Sequence, residues 1–359
     1  IAEHAPRSID ISFLFHSIWM IFGGLGIWIL LSKKIPYEII ANDMRIFVLI
    51  FGITAVYVGS SFIRLENFTS VSLIIFSSIA LTILTKNILK IKFSGVKNYL
   101  IKISYIVIII FLFTIPLIFP VDGGWNWIEI HDEPPTIFTG ATYYGPTNDW
   151  LLALEWIKLN TPENAVIASW WDYGYWISTM SDRATIIDNA TLETKTIQKM
   201  GKMFLSSPND SWNILQEMGA DYVVVFIAAE KINDNLDEKL YVLRGGGDES
   251  KVYPIAAISK MPLNKYYTSD GLAYSNYFFN ETMMGKLIPF DTELYYNPQT
   301  FENSPTYKPG FMQIVGQKID YNSDDDPLKL VYVSPSFIRE TLGQMQVIVV
   351  YEVNKNYIP

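Results

Sequence analysis

The chain has 359 residues, of which half are hydrophobic, and a formal net charge of -9 from 27 basic and 36 acidic residues. This acidic balance, without a basic stripe, argues against a nucleic-acid-binding protein. The absence of cysteine excludes disulfides, thiolate metal sites and a thiol nucleophile. Up to about Pro120 the composition is that of a membrane protein, and from Asp122 onward it is that of an acidic, aromatic-rich globular domain.

Four apolar stretches in the first 120 residues are each long enough to cross a bilayer as a helix. They cover residues 11–31, 44–62, 68–84 and 99–119. Glycines within these stretches suit close helix packing in lipid. They are Gly23, Gly24, Gly26 and Gly52. The composition therefore predicts four transmembrane helices.

Positive charge is unevenly distributed over the connections between these stretches. The first connection carries Lys33 and Lys34, and four further lysines fill the third, whereas the second carries only Arg64 and Glu66. By the positive-inside rule the first and third connections are cytoplasmic. The large domain after Pro120 is then predicted to be extracytoplasmic.

Helical and strand patterns alternate in the polar part of the chain. We predict helices over residues 148–159, 191–204 and 211–218, and strands over 165–169, 184–188 and 222–227. Such alternation indicates a partly parallel sheet with helices packed on it. The fold class is therefore a multi-pass α-helical membrane region followed by a mixed α/β extracytoplasmic domain. We divide the chain into a membrane region (1–120), the mixed domain (121–270) and a C-terminal β-rich subregion (271–359).

The sequence Trp170-Trp171-Asp172-Tyr173-Gly174 directly follows one of the predicted strands. Ligands gather at strand ends in α/β sheets. Two indoles form a rigid apolar wall, and their N–H groups and the carboxylate of Asp172 can converge on one hydroxyl. A site built for a hydroxyl rejects an analogue that lacks it, because the polar groups of the site are then unpaired. A buried aromatic cluster with a helix-capping Asp172 is the structural alternative.

WWDYG and the text that follows it as far as Val225 resemble the oligosaccharyltransferase catalytic subunit in order and spacing. The resemblance implies a class C glycosyltransferase fold. It also implies that Trp170, Trp171 and Asp172 bind the Ser or Thr hydroxyl two residues after the acceptor asparagine.

A second pattern resembles the DK motif of the same family, Asp248-x-x-Lys251-x-x-x-Ile255, and follows three glycines. The resemblance implies that these residues line the same acceptor pocket, with Ile255 near the threonine methyl. Asp and Lys at this spacing are otherwise an ordinary helix-surface pair. Pro254 lies inside the span, and we expect it to kink the element because it lacks an amide donor.

Two further residues match the family nearer the start of the chain. Ile1-Ala2-Glu3 resembles an element of the last external loop, which implies that Glu3 is catalytic and a metal ligand. Arg64 stands in a context that the family associates with the phosphates of the lipid-linked donor, and a guanidinium matches phosphate geometry. Snorkelling at a membrane interface is the ordinary alternative for Arg64.

The chain begins at Ile1 without a signal-peptide pattern, so we expect it to be part of a longer polypeptide. The remaining metal ligands of the family are expected in the part that precedes Glu3. On its own the chain is expected to be inactive. The three histidines, His4, His16 and His131, are scattered and are assigned no metal.

The resemblance implies transfer of an oligosaccharide from a polyprenyl-(pyro)phosphate carrier of the dolichol type to the asparagine of N-x-[ST] in acceptor polypeptides. It implies Mg²⁺ or Mn²⁺ as cofactor, and a location in the cell membrane or the endoplasmic reticulum. Two alternatives remain open: another class C glycosyltransferase that extends the lipid-linked glycan, and a non-enzymatic membrane-anchored peptide-binding protein. The chain itself carries four N-x-[ST] triplets, at Asn67, Asn189, Asn209 and Asn280.

Overall fold

The structure is a computed structural model, and it describes residues 6, 8–32, 42–62, 65–92, 96–118, 128, 135–140, 145–233, 239–338 and 342–359. The chain divides into two compact units, Ile1–Glu133 and Pro134–Pro359. The first unit is helical, and the second is a mixed sheet with helices. This is the predicted class of a multi-pass helical membrane region followed by a mixed α/β domain.

The described part of the first unit contains five consecutive helices. They are α1 (Ile9–His16), α2 (Ile18–Leu31), α3 (Asn42–Ser61), α4 (Glu66–Lys90) and α5 (Val96–Ile118). Three spans within them are long and apolar enough to cross a membrane, Asp43–Ser61, Glu66–Lys90 and Val96–Ile115. Many of their large apolar side chains are exposed, which suits contact with lipid tails.

The first predicted membrane helix, over residues 11–31, is not continuous in the structure. Ser17 separates α1 from α2 and has a φ of 46°, which a helix cannot accommodate. A hydropathy pattern reports how apolar a segment is but does not report a single residue in a non-helical conformation. The segment is therefore two short helices, of which α2 has 14 residues.

Glycines allow α2 and α3 to approach α4 closely. A Cβ on Gly26 would lie 2.0 Å from the carbonyl oxygen of Phe76, and one on Gly52 would lie 2.1 Å from the ring of Phe76. Gly23 similarly faces Leu73 at 2.7 Å, whereas Gly24 has no neighbour within 4 Å. Three of the four glycines noted in the sequence thus lie where two helices touch, which is how helices associate in lipid.

The second unit contains eight described α-helices around one sheet. They are α6 (Thr136–Thr139), α7 (Asp149–Asn160), α8 (Gly174–Met180), α9 (Thr194–Leu205), α10 (Pro208–Met218), α11 (Val252–Ser259), α12 (Asn276–Glu281) and α13 (Met283–Leu287). Short 3₁₀ turns cover Trp171–Tyr173, Asp248–Lys251, Leu263–Lys265 and Pro335–Ile338. Of these helices, α7, α9 and α10 correspond to the predicted ones within three residues at each end.

Nine strands form the sheet. They are β1 (Val166–Ala168), β2 (Ala184–Thr185), β3 (Tyr222–Asn233), β4 (Leu240–Leu243), β5 (Phe290–Asn297), β6 (Glu302–Ser304), β7 (Met312–Gln317), β8 (Leu328–Val333) and β9 (Gly343–Val353). β1 pairs with β2 and with β3 in parallel, and the other pairings are antiparallel. The central strand β3 is paired with β9 along residues 222–231. The sheet is thus partly parallel, as the sequence predicts.

Strands on both sides of Asp270 belong to this one sheet. β7 pairs with β4, and β9 pairs with β3, so the last 90 residues complete the sheet begun by the preceding ones. The predicted division at Asp270 follows a change in composition at that point of the chain. The division does not coincide with a boundary in the sheet, because strand pairing between distant segments leaves no mark on composition.

Gly174 lies where the segment after β2 crosses the start of α8. A Cβ on Gly174 would lie 2.5 Å from the Cα of Asp188 and 2.6 Å from the carbonyl oxygen of Ile187. Its φ of -56° is ordinary for any residue, so the requirement for glycine is one of space. The glycine of WWDYG therefore lets the backbone of residues 187–188 pack directly on the motif.

We predict that Gly174→Ala destabilises the protein by about 1–3 kcal/mol, because the added methyl group meets backbone atoms that cannot rotate away. Gly145→Ala is the matched control, since no atom lies within 4 Å of its Cβ position. Thermal unfolding of the full chain in detergent, followed by tryptophan fluorescence, measures both. Equal unfolding temperatures for the two variants would contradict the packing described here.

Candidate functional site

The WWDYG segment lies at the carboxyl end of the parallel strand β1. Trp170 is extended, residues Trp171–Tyr173 form a 3₁₀ turn, and α8 begins at Gly174. The ring of Tyr173 is buried against Trp150, with centroids 4.6 Å apart, and against Phe226 of β3. This aromatic packing orients the turn, so that Asp172 faces away from the core and its side chain is 29% exposed.

The DK segment follows β4 through three glycines. Gly245 and Gly246 have φ values of 79° and 103°, which only glycine adopts without strain. Residues Asp248–Lys251 form a 3₁₀ turn that leads directly into α11. Pro254 is the third residue of α11, where its missing amide hydrogen is not needed. The expected kink is therefore replaced by the start of a new helix.

Lys251 joins the two motifs. Its Nζ lies 2.6 Å from Oδ2 of Asp172 and 3.4 Å from Oδ1 of Asp248. It also donates a hydrogen bond of 2.6 Å to the hydroxyl of Tyr173, which in turn donates to Oδ1 of Asp248 at 2.9 Å. The structure thus brings together Asp172, Asp248 and Lys251, which are predicted site residues, and adds Tyr173, which we did not single out.

The two tryptophans differ in exposure. Trp170 is 2% exposed and packs edge-on against Phe204, whereas Trp171 is half-buried. Their ring centroids are 6.4 Å apart. Within the described residues neither indole N–H has a hydrogen-bond acceptor. The two indole N–H groups, which directly precede Asp172 in the chain, are therefore not engaged by a described acceptor of the protein.

Ile255 is not exposed on the surface that carries Asp172 and Lys251. Its side chain is fully buried, and its Cγ2 lies 3.2 Å from the position of a Cβ on Gly201. Ile255 is thus part of the core between α11 and α9. The side chain of Tyr253, two residues earlier, is 62% exposed.

Asn189 is a further residue at the site that we did not predict as part of it. Its Nδ2 donates to the backbone carbonyl of Asp172 at 2.9 Å, and its Oδ1 accepts the amide hydrogen of Tyr175 at 3.2 Å. One side chain thus holds the backbone on both sides of the turn. The sequence signals Asn189 only as an N-x-[ST] triplet, which says nothing about this contact.

Burial and charge shift the pKa of Asp248, Lys251 and Tyr173. Burial raises the pKa of Asp248, although Lys251 and the amide of Phe226 oppose the shift. Burial alone lowers the pKa of Lys251, but the carboxylates of Asp248 and Asp172 outweigh it and the net pKa is raised. Burial and Asp248 likewise raise the pKa of the Tyr173 hydroxyl. Lys251 therefore remains an ammonium at neutral pH.

Glu249, beside Asp248, is fully buried as well. Burial raises its pKa from an ordinary 4.5 to about 8, although backbone hydrogen bonds oppose the shift. The carboxyl group is therefore largely protonated at neutral pH, which removes a second buried negative charge next to Asp248.

Glu3 and Arg64 lie outside the described residues. Within the described part of the chain, no group of three or more His, Cys, Asp or Glu side chains is arranged to hold a metal ion. The metal site predicted at Glu3 therefore stays a prediction.

Residues 163–241 match the family model of the STT3/PglB/AglB core domain. The STT3 subunit of a dolichyl-diphosphooligosaccharide–protein glycosyltransferase from Dictyostelium discoideum is 26% identical over 257 residues, which are 69% of this chain and 35% of the relative. The stt-3 subunit from Caenorhabditis elegans is 24% identical over 330 residues, 80% of this chain and 41% of the relative.

Among solved structures, AglB from Archaeoglobus fulgidus, in complex with an inhibitory peptide and a dolichol-phosphate, is similar with a TM-score of 0.49 and 15% identity. It covers 93% of this chain and 39% of that chain. An A. fulgidus oligosaccharyltransferase tethered with an acceptor peptide containing the NVT sequon has a TM-score of 0.48.

The matched core domain and the curated relatives define a class, the catalytic subunits of oligosaccharyltransferases. This chain is similar to that class, and its residues 163–241 match the STT3/PglB/AglB core domain. It spans between 35% and 41% of the length of the two relatives named above.

We predict that Tyr173→Phe destabilises the protein by about 1–3 kcal/mol, because the buried Asp248 loses a donor and Lys251 loses an acceptor. Tyr175→Phe is the control, since Tyr175 is 43% exposed and lies on the same helix start. Thermal unfolding in detergent compares the two. A Tyr173→Phe variant as stable as the control would show that the hydroxyl is not needed to satisfy the buried pair.

A second prediction concerns pH. Because the pKa of Glu249 is raised on folding, its contribution to stability is complete below 4.5 and is lost as the pH rises to about 8. The wild-type unfolding temperature should fall over this interval more steeply than that of Glu249→Gln, which cannot ionise. The exposed Glu302→Gln should follow the wild type. Parallel profiles for the wild type and Glu249→Gln would contradict the raised pKa.

Proposed function

We propose that this chain contributes the acceptor site of a glycosyltransferase that moves an oligosaccharide from a polyprenyl-(pyro)phosphate carrier to the asparagine of N-x-[ST] in polypeptides. The carrier is of the dolichol type, in line with the dolichyl-diphosphooligosaccharide named for the relatives. The observation that carries the proposal is the convergence of Asp172, Lys251 and Asp248 beside two tryptophans.

The proposed acceptor pocket reads the hydroxyl of the residue two positions after the asparagine. Asp172 accepts the hydrogen of that hydroxyl through its carboxylate, and the indole N–H of Trp171 or Trp170 donates to the hydroxyl oxygen. Lys251 already holds Oδ2 of Asp172 at 2.6 Å, so the carboxylate is fixed in position before the peptide arrives. A fixed site loses little entropy on binding, which favours discrimination.

Rejection of other residues follows from the same groups. A peptide with alanine in place of threonine leaves the partly desolvated carboxylate of Asp172 with one hydrogen bond fewer and an indole N–H without a partner. Such unpaired polar groups cost more than the missing contact itself. In the proposal, Ile255 supports α11 from within the core. Its predicted contact with the threonine methyl requires α11 or the peptide to move until the two groups touch.

The remaining parts of the reaction rest on residues outside the described part of the chain. We propose that Arg64 binds the phosphates of the lipid-linked donor and that Glu3 holds the acceptor carboxamide and contributes to a Mg²⁺ or Mn²⁺ site. The metal would act as a Lewis acid on the leaving phosphate. We further propose that the unit Pro134–Pro359 lies on the extracytoplasmic side, where acceptor polypeptides emerge, on the basis of the lysine-rich first and third connections.

The proposal predicts selective peptide binding by the full chain in detergent. A fluorescent N-x-T peptide should bind, and the same peptide with alanine in place of threonine should bind about 10- to 100-fold more weakly, since a hydrogen bond to a charged group is lost. Asp172→Ala should reduce the affinity for the N-x-T peptide to that of the alanine peptide. Fluorescence anisotropy measures both affinities.

Asp325→Ala is the matched control, because Asp325 is an exposed aspartate of the same unit. Its affinities should equal those of the wild type.

Transfer itself is tested with the full-length protein in membranes, given lipid-linked donor and Mn²⁺. A donor that is extended or consumed while the peptide stays unmodified would reassign the protein to another class C glycosyltransferase. Binding without metal-dependent transfer would indicate a peptide-binding protein.

A further inference from the structure

The long strand β3 has an opening along one edge. Its other edge is covered by β9 over residues 222–231. On the open edge β1 pairs only with Tyr222 and Val223, and β4 pairs from Ala229 onward. The backbone between these two pairings, residues 224–228, therefore has no strand partner on this edge. Its buried amides still need acceptors, because an unsatisfied amide in a core is costly.

Two consecutive carboxyl groups fill this opening. Oδ2 of Asp248 accepts the amide hydrogen of Phe226 at 2.9 Å, and Oε2 of Glu249 lies 3.4 Å from the amide nitrogen of Ala228. Oε1 of Glu249 also accepts the amide hydrogen of Gly247 at 3.1 Å. Both side chains are fully buried. Acidic side chains of the DK turn thus take the place of a strand between β1 and β4.

The fit around Glu249 leaves no room for adjustment. A Cβ on Gly247 would lie 2.2 Å from Oε2 of Glu249 and 2.7 Å from the amide nitrogen of Ala228. On the other side, the hydroxyl of Tyr274 donates to the backbone carbonyl of Glu249 at 2.6 Å. Glu249 is therefore held at its side chain by the sheet and at its backbone by a tyrosine.

This attachment determines where the DK turn lies. Glu249 is the second residue of the 3₁₀ turn that ends at Lys251. If the carboxyl of Glu249 leaves the opening, the turn can rotate about the glycines that precede it, and Lys251 moves away from Asp172. Without Glu249, the turn keeps only the contact of Asp248 with β3. This single contact fixes the position of one point of the turn but not the rotation of the turn about that point.

We propose that Glu249 is a positioning residue of the acceptor pocket: by filling the opening in the sheet beside Ala228, it holds the DK turn so that Lys251 contacts Asp172. This inference rests on the proposed function for its effect on peptides, but not for its effect on Lys251. No role in contact with substrate is assigned to Glu249, whose side chain is fully buried.

The groups that face Glu249 indicate how it responds to pH. Asp248 lies beside it and is acidic, and the hydroxyls of Tyr173, Tyr267 and Tyr274 surround the same region. Lys251 pairs with Asp248 and Asp172. Ionisation of Glu249 thus places a second negative charge next to Asp248. The nearby ammonium group of Lys251 is already paired with Asp248 and Asp172. The attachment is expected to weaken in alkaline solution.

The test measures the position of Lys251 directly. The full chain in detergent is labelled with an amine-reactive acylating reagent, and mass spectrometry gives the rate at Lys251 relative to the exposed Lys195. In the wild type at pH 7, Lys251 should be labelled at least about tenfold more slowly than Lys195. The side chain of Lys251 is 19% exposed, and its ammonium group contacts Asp172, Asp248 and the hydroxyl of Tyr173. Glu249→Ala should remove most of this protection, and Glu249→Gln, which keeps one of the two acceptor oxygens, should retain more of it than Glu249→Ala.

Glu302→Ala serves as the matched control, because Glu302 is exposed on β6 and should leave the labelling ratio unchanged. Amide hydrogen exchange at Phe226 and Ala228 is measured in parallel and should accelerate only in Glu249→Ala. Unchanged protection of Lys251 in a folded Glu249→Ala protein would overturn the proposal.

If that variant does not fold, the labelling ratio of Lys251 to Lys195 at pH 7 is compared with the ratio at pH 9. The labelling ratio should then rise in the wild type and stay constant in Glu249→Gln, and identical pH profiles would overturn the proposal.

Peptide affinity separates this inference from the proposed function. If Glu249→Ala exposes Lys251 and also weakens N-x-T peptide binding about tenfold, both stand. If Lys251 becomes reactive in Glu249→Ala while the wild type binds no N-x-T peptide, the positioning role stands and the proposed acceptor site fails.

Discussion

The ammonium group of Lys251 is the contact on which the site depends. It ties Asp172, which follows β1, to Asp248, which follows β4, and it uses the hydroxyl of Tyr173 as a third partner. Removing charges from water is costly unless each is paired and hydrogen-bonded. Here one lysine meets two carboxylates and a phenol, so the buried Asp248 has a cation beside it. Loss of Lys251 would leave the carboxylate of Asp248 buried without a cation.

The sheet explains why two distant segments meet at this point. β1 runs parallel to β3, and β4 runs antiparallel to it, so the direction of pairing changes along one edge of β3. The segment after β1 and the segment after β4 both emerge at this change. The carboxylates of Asp248 and Glu249 satisfy the amides that neither strand reaches. A ligand site at the carboxyl end of a parallel strand is a recurring feature of α/β sheets.

The two units use glycine for the same physical purpose in different solvents. In the helical unit, Gly26 and Gly52 let helices approach Phe76, and in lipid such close packing replaces the hydrophobic effect. In the second unit, Gly174 and Gly247 let backbone and carboxyl groups pack directly on the motif. In both units the glycine removes a Cβ that would occupy the space of a neighbouring backbone or side chain.

Much of this protein could be predicted from its sequence, because the relevant information is local. Hydropathy identified the helical unit, periodicity located α7, α9 and α10, and alternation indicated a partly parallel sheet. WWDYG is distinctive enough to indicate a family resemblance and candidate site residues, and the DK pattern gains its weight from that resemblance. The break at Ser17 escaped prediction, because a single backbone angle leaves no mark on the apolarity of the surrounding residues.

The resemblance implied that the two motifs share one pocket, but only the tertiary structure decided which of their atoms meet. That Lys251 contacts Asp172, that Tyr173 lies between Asp248 and Lys251, and that Asn189 holds the backbone of Asp172 all depend on strand order. The same holds for Ile255, which is in the core, and for Glu249, whose carboxyl fills an opening in the sheet. The sequence determines the chemical groups, their local conformations and the family. Which groups become neighbours is decided by pairing between segments far apart in the chain, and no local pattern of residues encodes that pairing.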